Sequence, residues 1–262
     1  MSFKSFVDPG TASVITGGQW GSEGKGSAAA FLAKMVVQSG RAAGPTGVKF
    51  FDVVTTNAGA QAGHTSIHDG RKRVVFHLPT APLIAADMKC EKTPIIYLNA
   101  GSIIDPYVLM KELDDNRDSI DKSRFFIHPN AAVITDECRD AEMNNDSAQT
   151  RIASTRKGVG EAFARKALRS GLIARDCPEL KPYIRRLQLN DTLQRGGSVL
   201  VEVPQGFSLS VNGKFWPHCT SRDATLQQGL SDAGIHPSFL SQSMMVLRTY
   251  PIRVGHIYQE RP

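Results

Sequence analysis

The sequence predicts an α/β fold with a mainly parallel central sheet and flanking helices. Short apolar runs alternate with helix-like segments along the chain, which is typical of parallel strands joined by crossover helices. The first apolar run, Ser13 to Thr16, also leads through a glycine-rich loop into a helix-like segment, as in P-loop-like phosphate sites. In such sheets ligands bind beyond the carboxyl ends of the strands, so we expect the functional residues to gather there.

Six apolar runs are predicted as strands. In chain order they are Ser13 to Thr16, Lys49 to Thr55, Val74 to Leu78, Pro94 to Leu98, Phe125 to His128 and Ser198 to Val203. Helices are predicted for Ser27 to Met35, Pro106 to Asn116 and Glu161 to Ser170. Asp105 is a good N-cap with proline at the first turn, and Gly171 is expected to end the third helix.

Composition limits the class of protein. The 262 residues are enough for one large domain, so we expect residues 1–262 to form a single domain. The net charge of +6 comes from dispersed Lys and Arg, which predicts small anionic ligands and a solvated surface rather than a nucleic-acid partner. The four cysteines form no Cys-x-x-Cys pair and are expected to be reduced thiols. No signal peptide or membrane span is recognisable, so a cytoplasmic location without a membrane partner is expected.

The glycine-rich loop is the strongest single motif. Gly17 to Gly26 reads Gly-Gly-Gln-Trp-Gly-Ser-Glu-Gly-Lys-Gly. Gly21, Gly24 and Gly26 allow backbone N–H groups to approach phosphate oxygens, and Lys25 adds a mobile charge. The spacing is one residue short of a Walker A motif. Taken alone, the loop is also compatible with a glycine-rich surface turn.

Three further segments carry polar side chains in suitable patterns. His64 lies among glycines after a strand-like run and can serve as a general acid, although a lone loop histidine is more often structural. Ser154 and Thr155 precede two cations and two glycines, a composition that suits an anion. Gln205 follows the last predicted strand, where its amide can both donate and accept hydrogen bonds.

These motifs resemble those of adenylosuccinate synthetases. Gly-Gln-Trp-Gly-Ser-Glu-Gly-Lys-Gly is similar to the family signature Gln-Trp-Gly-Asp-Glu-Gly-Lys-Gly, and Gln-Ala-Gly-His-Thr at 61–65 is similar to Asn-Ala-Gly-His-Thr. The other matches, in family order, are the segments 153–160, 201–210, 217–223 and 248–255. Together they cover nearly the whole chain.

The resemblance implies a set of site residues. Catalytic roles fall to Ser22, Lys25 and His64, and Mg²⁺ would contact Ser22 and the Gly63 carbonyl. The implied nucleotide-binding residues are Gly21, Glu23, Gly24, Gly26, Gln61, Thr65, Ser154, Thr155, Arg169, Gln205, Thr220, Arg253 and Val254. Arg169 matches an arginine that reaches into the partner subunit's phosphate site, which implies a homodimer. His77 is expected to be structural.

Ser22 stands where the family carries its catalytic aspartate. A serine hydroxyl cannot replace that base, but it leaves room for a 2-amino group beside the purine N1 and can accept a hydrogen bond from it. The Ser22 form, with Gln61, resembles the phage branch that joins dGMP to L-aspartate with ATP or dATP. The alternative is ordinary adenylosuccinate synthesis from IMP, aspartate and GTP.

The family continues beyond the point where this sequence stops, at Pro262. The resemblance therefore implies that the aspartate-binding loop and the segment reading the donor purine are missing, and we expect a C-terminally truncated sequence. A degenerate nucleotide-binding module remains the non-enzyme alternative, favoured if Pro262 is the true terminus.

Overall fold

Residues 6–42, 50–144, 152 and 154–253 are described by a computed structural model. The strands there are β1 (Ala12–Gly17), β2 (Val53–Thr56), β3 (His64–His68), β4 (Arg71–Val75), β5 (Ile95–Leu98), β6 (Ile103–Ile104), β7 (Phe125–Ile127), β8 (Ala132–Val133), β9 (Val199–Gly206) and β10 (Leu240–Val246). The helices there are α1 (Lys25–Ala42), α2 (Thr80–Asp87), α3 (Pro106–Asp115), α4 (Asp136–Asn144), α5 (Val159–Ala167), α6 (Leu189–Gln194) and α7 (Leu226–Ala233). Over these ranges, none of the helices has the length and apolar character needed to span a membrane.

The central sheet has six parallel strands in the order β10-β1-β9-β2-β5-β7. All six residues of β1 are buried, as expected for a parallel strand covered on both faces. Val14 packs on one face with Leu230 of α7, whereas Ile15 packs on the other face with Leu32 of α1. The predicted α/β class with a mainly parallel sheet is confirmed.

A β-hairpin departs from the predicted strand pattern. β3 and β4 pair antiparallel through the two-residue turn Asp69–Gly70, where both φ angles are positive, 46° and 77°, as in type I′ hairpins. The strand predicted at Val74 to Leu78 is therefore wrong in its bounds. β4 ends at Val75 because the backbone N–H groups of residues 76–78 donate to the Glu112 carboxylate rather than to the carbonyl groups of a neighbouring strand.

The predicted helix boundaries hold at one helix and shift at another. The Asp105 carboxylate accepts the N–H of Val108 at 3.2 Å, so the predicted N-cap of α3 is confirmed. α5 ends at Ala167, and Arg169 rather than Gly171 takes the left-handed conformation after it, with φ 61°. The N–H groups of Ser170 and Gly171 both donate to the Arg165 carbonyl, which satisfies the end of this helix.

Candidate functional site

A cavity of about 570 Å³ opens at the carboxyl ends of the central strands. The loops after β1 and β2, the end of β9 with its following loop, and the start of α5 form its walls. Of the residues implied by the sequence, those in the lining are Gly21, Ser22, Lys25, Gln61, Gly63, His64, Ser154, Thr155, Gln205, Thr220 and Arg253. Distant segments are thus gathered at the edge of the sheet where ligands of α/β folds bind.

The remaining implied residues lie outside the lining. Glu23 is buried beneath the glycine-rich loop, Gly24 and Gly26 flank Lys25, and Thr65 lies on β3. A Cβ at Gly26 would lie 2.6 Å from the Thr65 carbonyl oxygen, so this glycine allows α1 to approach the hairpin that carries His64. Arg169 is exposed, and Val254 is outside the described residues.

The Glu23 carboxylate organises the glycine-rich loop from below. It accepts the N–H groups of Gln19 at 3.1 Å and Gly21 at 2.9 Å, and it pairs with the Lys25 Nζ at 2.7 Å. A Cβ at Gly17 or Gly206 would lie 2.7 Å or 2.2 Å from a Glu23 carboxylate oxygen. Glycines at the ends of β1 and β9 therefore make the space that this carboxylate occupies. Burial lowers the pKa of Lys25, while Glu23 opposes that shift.

We expect Glu23→Gln to lower the free energy of unfolding by about 3 kcal/mol. The amide oxygen can still accept the loop N–H groups, so the change isolates the buried pair with Lys25. Asp115→Asn is the matched control, because Lys111 and Asp115 are also 2.7 Å apart but exposed; it should lower the free energy of unfolding far less, since solvent screens this pair. Urea unfolding measures both, and equal losses would contradict a special role for Glu23.

Two residues facing the cavity have left-handed backbones. Ser22 has φ 56° and Gln205 has φ 66°, a conformation that non-glycine residues adopt uncommonly. Left-handed strain concentrates at binding and catalytic sites. Aspartate and asparagine tolerate this conformation better than most residues, so an aspartate fits the backbone at position 22 as well as serine does.

His64 begins β3 at the floor of the cavity. Its Nδ1 atom is 3.9 Å from Oε2 of Glu202, and its Nε2 atom is buried with no hydrogen-bond partner among the described residues. Burial, reinforced by the Lys25 ammonium, lowers the pKa of His64 to about 3. The imidazole is therefore neutral at physiological pH and can offer one N–H to a ligand oxygen.

Glu202 joins three elements behind His64. Its carboxylate oxygens accept the N–H groups of Thr80 and Ala81, each at 2.8 Å, at the start of α2. Burial raises the pKa of Glu202 to about 7, although these two hydrogen bonds act in the opposite direction. A carboxyl with this pKa is partly protonated at physiological pH, so the charge that lies 3.9 Å from the imidazole Nδ1 depends on pH.

The raised pKa of Glu202 makes stability depend on pH. The stabilisation is fully present below the ordinary pKa of 4.5 and is lost as pH rises through about 7. The stability advantage of the wild type over Glu202→Gln should therefore fall by up to about 3 kcal/mol between pH 5 and pH 8. His64 is neutral in both folded proteins over this range, so its titration cancels. Urea unfolding across this range tests it, and a constant difference would contradict the assigned pKa.

The wall formed by the start of α5 combines hydroxyl groups with a capped helix terminus. The Glu142 carboxylate accepts the N–H groups of Gly158, Gly160 and Glu161 at 2.8 to 3.2 Å, so it occupies the start of α5. Ser154 and Thr155 lie beside it in the lining. Since Glu142 satisfies the helix terminus, the hydroxyls of Ser154 and Thr155 are the groups this wall offers to an anion.

Aromatic and cationic side chains form the mouth of the cavity. Trp20 packs on Phe215 with ring centroids 4.0 Å apart, and the Arg253 guanidinium lies 5.7 Å from the Trp20 ring. Arg253 also donates to the Ile152 carbonyl at 3.0 Å. Both tryptophans of the chain, Trp20 and Trp216, line the cavity, so intrinsic fluorescence reports directly on its occupancy.

The residues implied for Mg²⁺ supply only neutral oxygens. Ser22 contributes a hydroxyl and Gly63 a carbonyl, and both lie in the lining. Within the described ranges, no cluster of three or more His, Cys, Asp or Glu side chains could hold a metal ion. Mg²⁺ is commonly bound through substrate phosphates and water with few protein ligands. These residues therefore fit an ion that arrives on a nucleotide phosphate.

The site combines a glycine-rich loop that carries a lysine, a hydroxyl-bearing loop and a glutamine at the end of β9. All three lie at the carboxyl edge of a parallel sheet, an arrangement typical of nucleotide-binding α/β proteins. The adenylosuccinate synthetase sequence pattern matches residues 14–188 and 177–257. The adenylosuccinate synthetases of Pyrococcus sp. (strain ST700) and Methanocaldococcus jannaschii are 32% and 30% identical over 92% and 94% of this chain. The chain belongs to the adenylosuccinate synthetase family. It spans 66% of the length of these two curated relatives.

Two solved structures share the fold. One is the succinoaminodeoxyadenylate synthetase of cyanophage S-2L bound to dGMP and to dATP as an energy donor. It is 30% identical with a TM-score of 0.74, and the match covers 92% of this chain and 65% of that one. The fully ligated adenylosuccinate synthetase of Plasmodium falciparum has a TM-score of 0.76 at 21% identity, covering 93% of this chain and 63% of that one.

Three important residues were not indicated as site residues by the sequence patterns. Glu202 had a detectable signal, because a carboxylate inside the apolar run Ser198 to Val203 is unusual unless it is paired or functional. Glu142 and Arg222 had none, since each lies in a polar segment that resembles an exposed one. His77 is buried, outside the lining, and accepts the Asp105 N–H at 3.1 Å, which agrees with the structural role expected for it.

Proposed function

We propose that this protein belongs to the phage branch of its family and joins L-aspartate to C6 of dGMP. The reaction is dGMP + L-aspartate + ATP giving N6-succino-2-amino-2′-deoxyadenylate, ADP and phosphate, with dATP as an alternative donor. The purine 6-oxygen attacks the γ-phosphorus and releases ADP, and the purine N1 proton passes to water. The neutral aspartate amine then displaces phosphate from C6 and gives up one proton.

The observation that carries this proposal is Ser22. Its exposed hydroxyl lines the cavity on a left-handed backbone that would also accept an aspartate, so the backbone does not require serine there. A hydroxyl leaves room for the 2-amino group of guanine, whereas a carboxylate would crowd it. The cyanophage structure solved with dGMP, at 30% identity over 92% of this chain, supports the same substrate.

The other site residues receive roles that fit their surroundings. We assign the neutral His64 as the hydrogen-bond donor to the 6-oxygen as it takes the phosphoryl group. Lys25, held by Glu23 at 2.7 Å, stabilises charge on the donor phosphates. Gln205 reads the base, and Ser154, Thr155 and Thr220 bind the 5′-phosphate. Mg²⁺ bound near Ser22 and Gly63 would neutralise phosphate charge.

Two further features of the proposal come from the resemblance. Arg169 is exposed and outside the lining of its own chain's cavity, as a residue reaching a partner subunit would be, so we propose a homodimer with shared sites. The family's aspartate-binding loop has no counterpart among residues 1–262, so the proposal assigns no residue of this sequence to L-aspartate. A cytoplasmic enzyme of one domain over residues 1–262 completes the proposal.

The competing function is ordinary adenylosuccinate synthesis from IMP and GTP. This function is favoured because the curated relatives, which are up to 32% identical to this chain, are adenylosuccinate synthetases. The two substrates differ at the 2-position of the purine, where dGMP carries an amine and IMP a hydrogen, and at the 2′-position of the sugar, where IMP alone carries a hydroxyl. A nucleotide-binding module without turnover is the third alternative.

Equilibrium binding separates the two enzyme functions. We expect dGMP to quench the fluorescence of Trp20 and Trp216 and to bind at least about 10-fold more tightly than IMP, because the amine gains a partner in Ser22. Deoxyadenosine monophosphate, which lacks the 6-oxygen, is the matched control and should bind weakly. Tighter binding of IMP than of dGMP would contradict the proposal.

A further inference from the structure

We propose that Arg222 is a positioning residue for the phosphate end of the cavity. With the half-buried Lys166 and Asp232, the buried Arg222 forms a charged hub that holds three cavity walls together. This inference rests on the proposed function, because that function assigns the 5′-phosphate to a wall that includes Thr220. The hub is defined by those three side chains, all of which lie outside the lining of the cavity.

Arg222 connects two walls directly. It is 4% exposed, and its guanidinium donates Nη1 to the Gly101 carbonyl and Nη2 to the Asn57 carbonyl. Gly101 follows β5, and Asn57 follows β2 at the start of the loop that carries Gln61 and His64. Since Arg222 comes directly after Thr220 and Ser221 in the chain, one side chain fixes that phosphate wall against the loop of His64.

Lys166 brings the third wall to the same place. Its ammonium, on α5, donates to the Ala100 carbonyl, one residue before the carbonyl that Arg222 contacts. The start of the same helix carries Gly160, beside Ser154 and Thr155 in the lining. The carbonyls of the short turn after β5 thus accept hydrogen bonds from one cation of the α5 wall and from one cation that follows Thr220.

Asp232 completes the hub from α7. Its carboxylate accepts the Asn57 side-chain amide at 2.6 Å and the Gln228 amide at 2.7 Å. A Cβ at Gly101 would lie 2.2 Å from the Asp232 carboxyl carbon, so the turn after β5 packs directly on this carboxylate. Asp232 also attracts both cations, which opposes the lowering of their pKa values by burial.

The charges of the hub favour a bound anion. Two cations and one carboxylate leave a net charge of +1 behind the phosphate wall, and low-dielectric surroundings strengthen its field. Only an arginine places two donors on carbonyls of two different loops, because its guanidinium is a planar fork whereas lysine offers a compact ammonium. Arg222→Lys therefore keeps the charge and removes the bridge.

The test compares Arg222→Lys with Arg73→Lys. Arg73 is 5% exposed, is ion-paired with Asp87 and donates to Asn116 and Ser119, but none of these partners lines the cavity. We expect Arg222→Lys to weaken dGMP binding at least about 10-fold and deoxyguanosine binding less than about 2-fold, measured by tryptophan quenching. Arg73→Lys should change neither affinity, even if it lowers the melting temperature as much as Arg222→Lys does.

Amide hydrogen exchange provides a readout that needs no nucleotide. Arg222→Lys should speed exchange in residues 57–64 and 217–222 together, whereas Arg73→Lys should speed it in the β3–β4 hairpin. Should Arg222→Lys fail to fold, Lys166→Met tests the same hub through its α5 contact and should speed exchange at residues 99–101 and 158–166.

The outcomes separate this inference from the proposed function. Unchanged exchange in both cavity loops, or parallel losses of dGMP and deoxyguanosine affinity, would overturn the role of Arg222. A wild-type protein that binds neither dGMP nor IMP would overturn the proposed function, and coupled exchange of the two loops would still support the hub.

Discussion

Ser22→Asp is expected to lower kcat/KM for dGMP by about 10²-fold or more and to create measurable turnover of IMP. The carboxylate would crowd the 2-amino group of dGMP, whereas IMP has only hydrogen at that position. The left-handed φ of 56° at Ser22 accepts aspartate, so the variant should fold with little change in melting temperature. Steady-state kinetics with both nucleotides measures the effect.

Ser22→Ala is the matched control for this substitution. It removes the hydroxyl without adding a carboxylate, so it should reduce dGMP use by only about 10-fold, the value of one hydrogen bond, and should give no IMP activity. Unchanged dGMP turnover in Ser22→Asp would show that residue 22 does not face the 2-position of the purine.

His64→Ala is expected to reduce turnover by about 10²–10⁴-fold, the usual contribution of a positioned proton-donating group. Nucleotide affinity should change only a few-fold, because the phosphate contacts are assigned to other walls. Single-turnover kinetics, combined with tryptophan quenching, separates the two effects. Retained turnover would remove His64 from its assigned role.

His77→Ala serves as the control for losing a buried histidine. His77 is fully buried, and its Nε2 accepts the Asp105 N–H at the start of α3. Its removal should lower the melting temperature and leave kcat per folded molecule nearly unchanged. A similar loss of kcat in both variants would indicate that His64 acts through stability rather than chemistry.

The pattern of apolar runs separated by turn residues predicted most of the central sheet. Five of the predicted runs overlap strands of the six-stranded sheet, because strands buried on both faces are continuously apolar. β10 was missed, since Leu240–Val246 reads Leu-Ser-Gln-Ser-Met-Met-Val, with few β-branched residues. It is an edge strand with an alternating burial pattern, and its position depends on pairing with β1 rather than on its own propensity.

The lining of the cavity was largely predictable because its residues lie in loops directly after strands. Ser22, Lys25, Gly63 and His64 all came from glycine-rich segments whose backbone freedom is visible in the sequence. The supporting residues were not predictable in this way. Glu142, Glu202 and Arg222 act through contacts with elements 16 to 165 residues away, and no local pattern encodes such pairings.

Single-turnover phosphate release tests the central claim most directly. The full-length protein would be mixed with ATP, Mg²⁺ and L-aspartate, and release would be compared between dGMP and IMP, each with and without aspartate. The account predicts aspartate-dependent release of one phosphate per turnover with dGMP and little with IMP. Aspartate-dependent release with IMP and none with dGMP would contradict it.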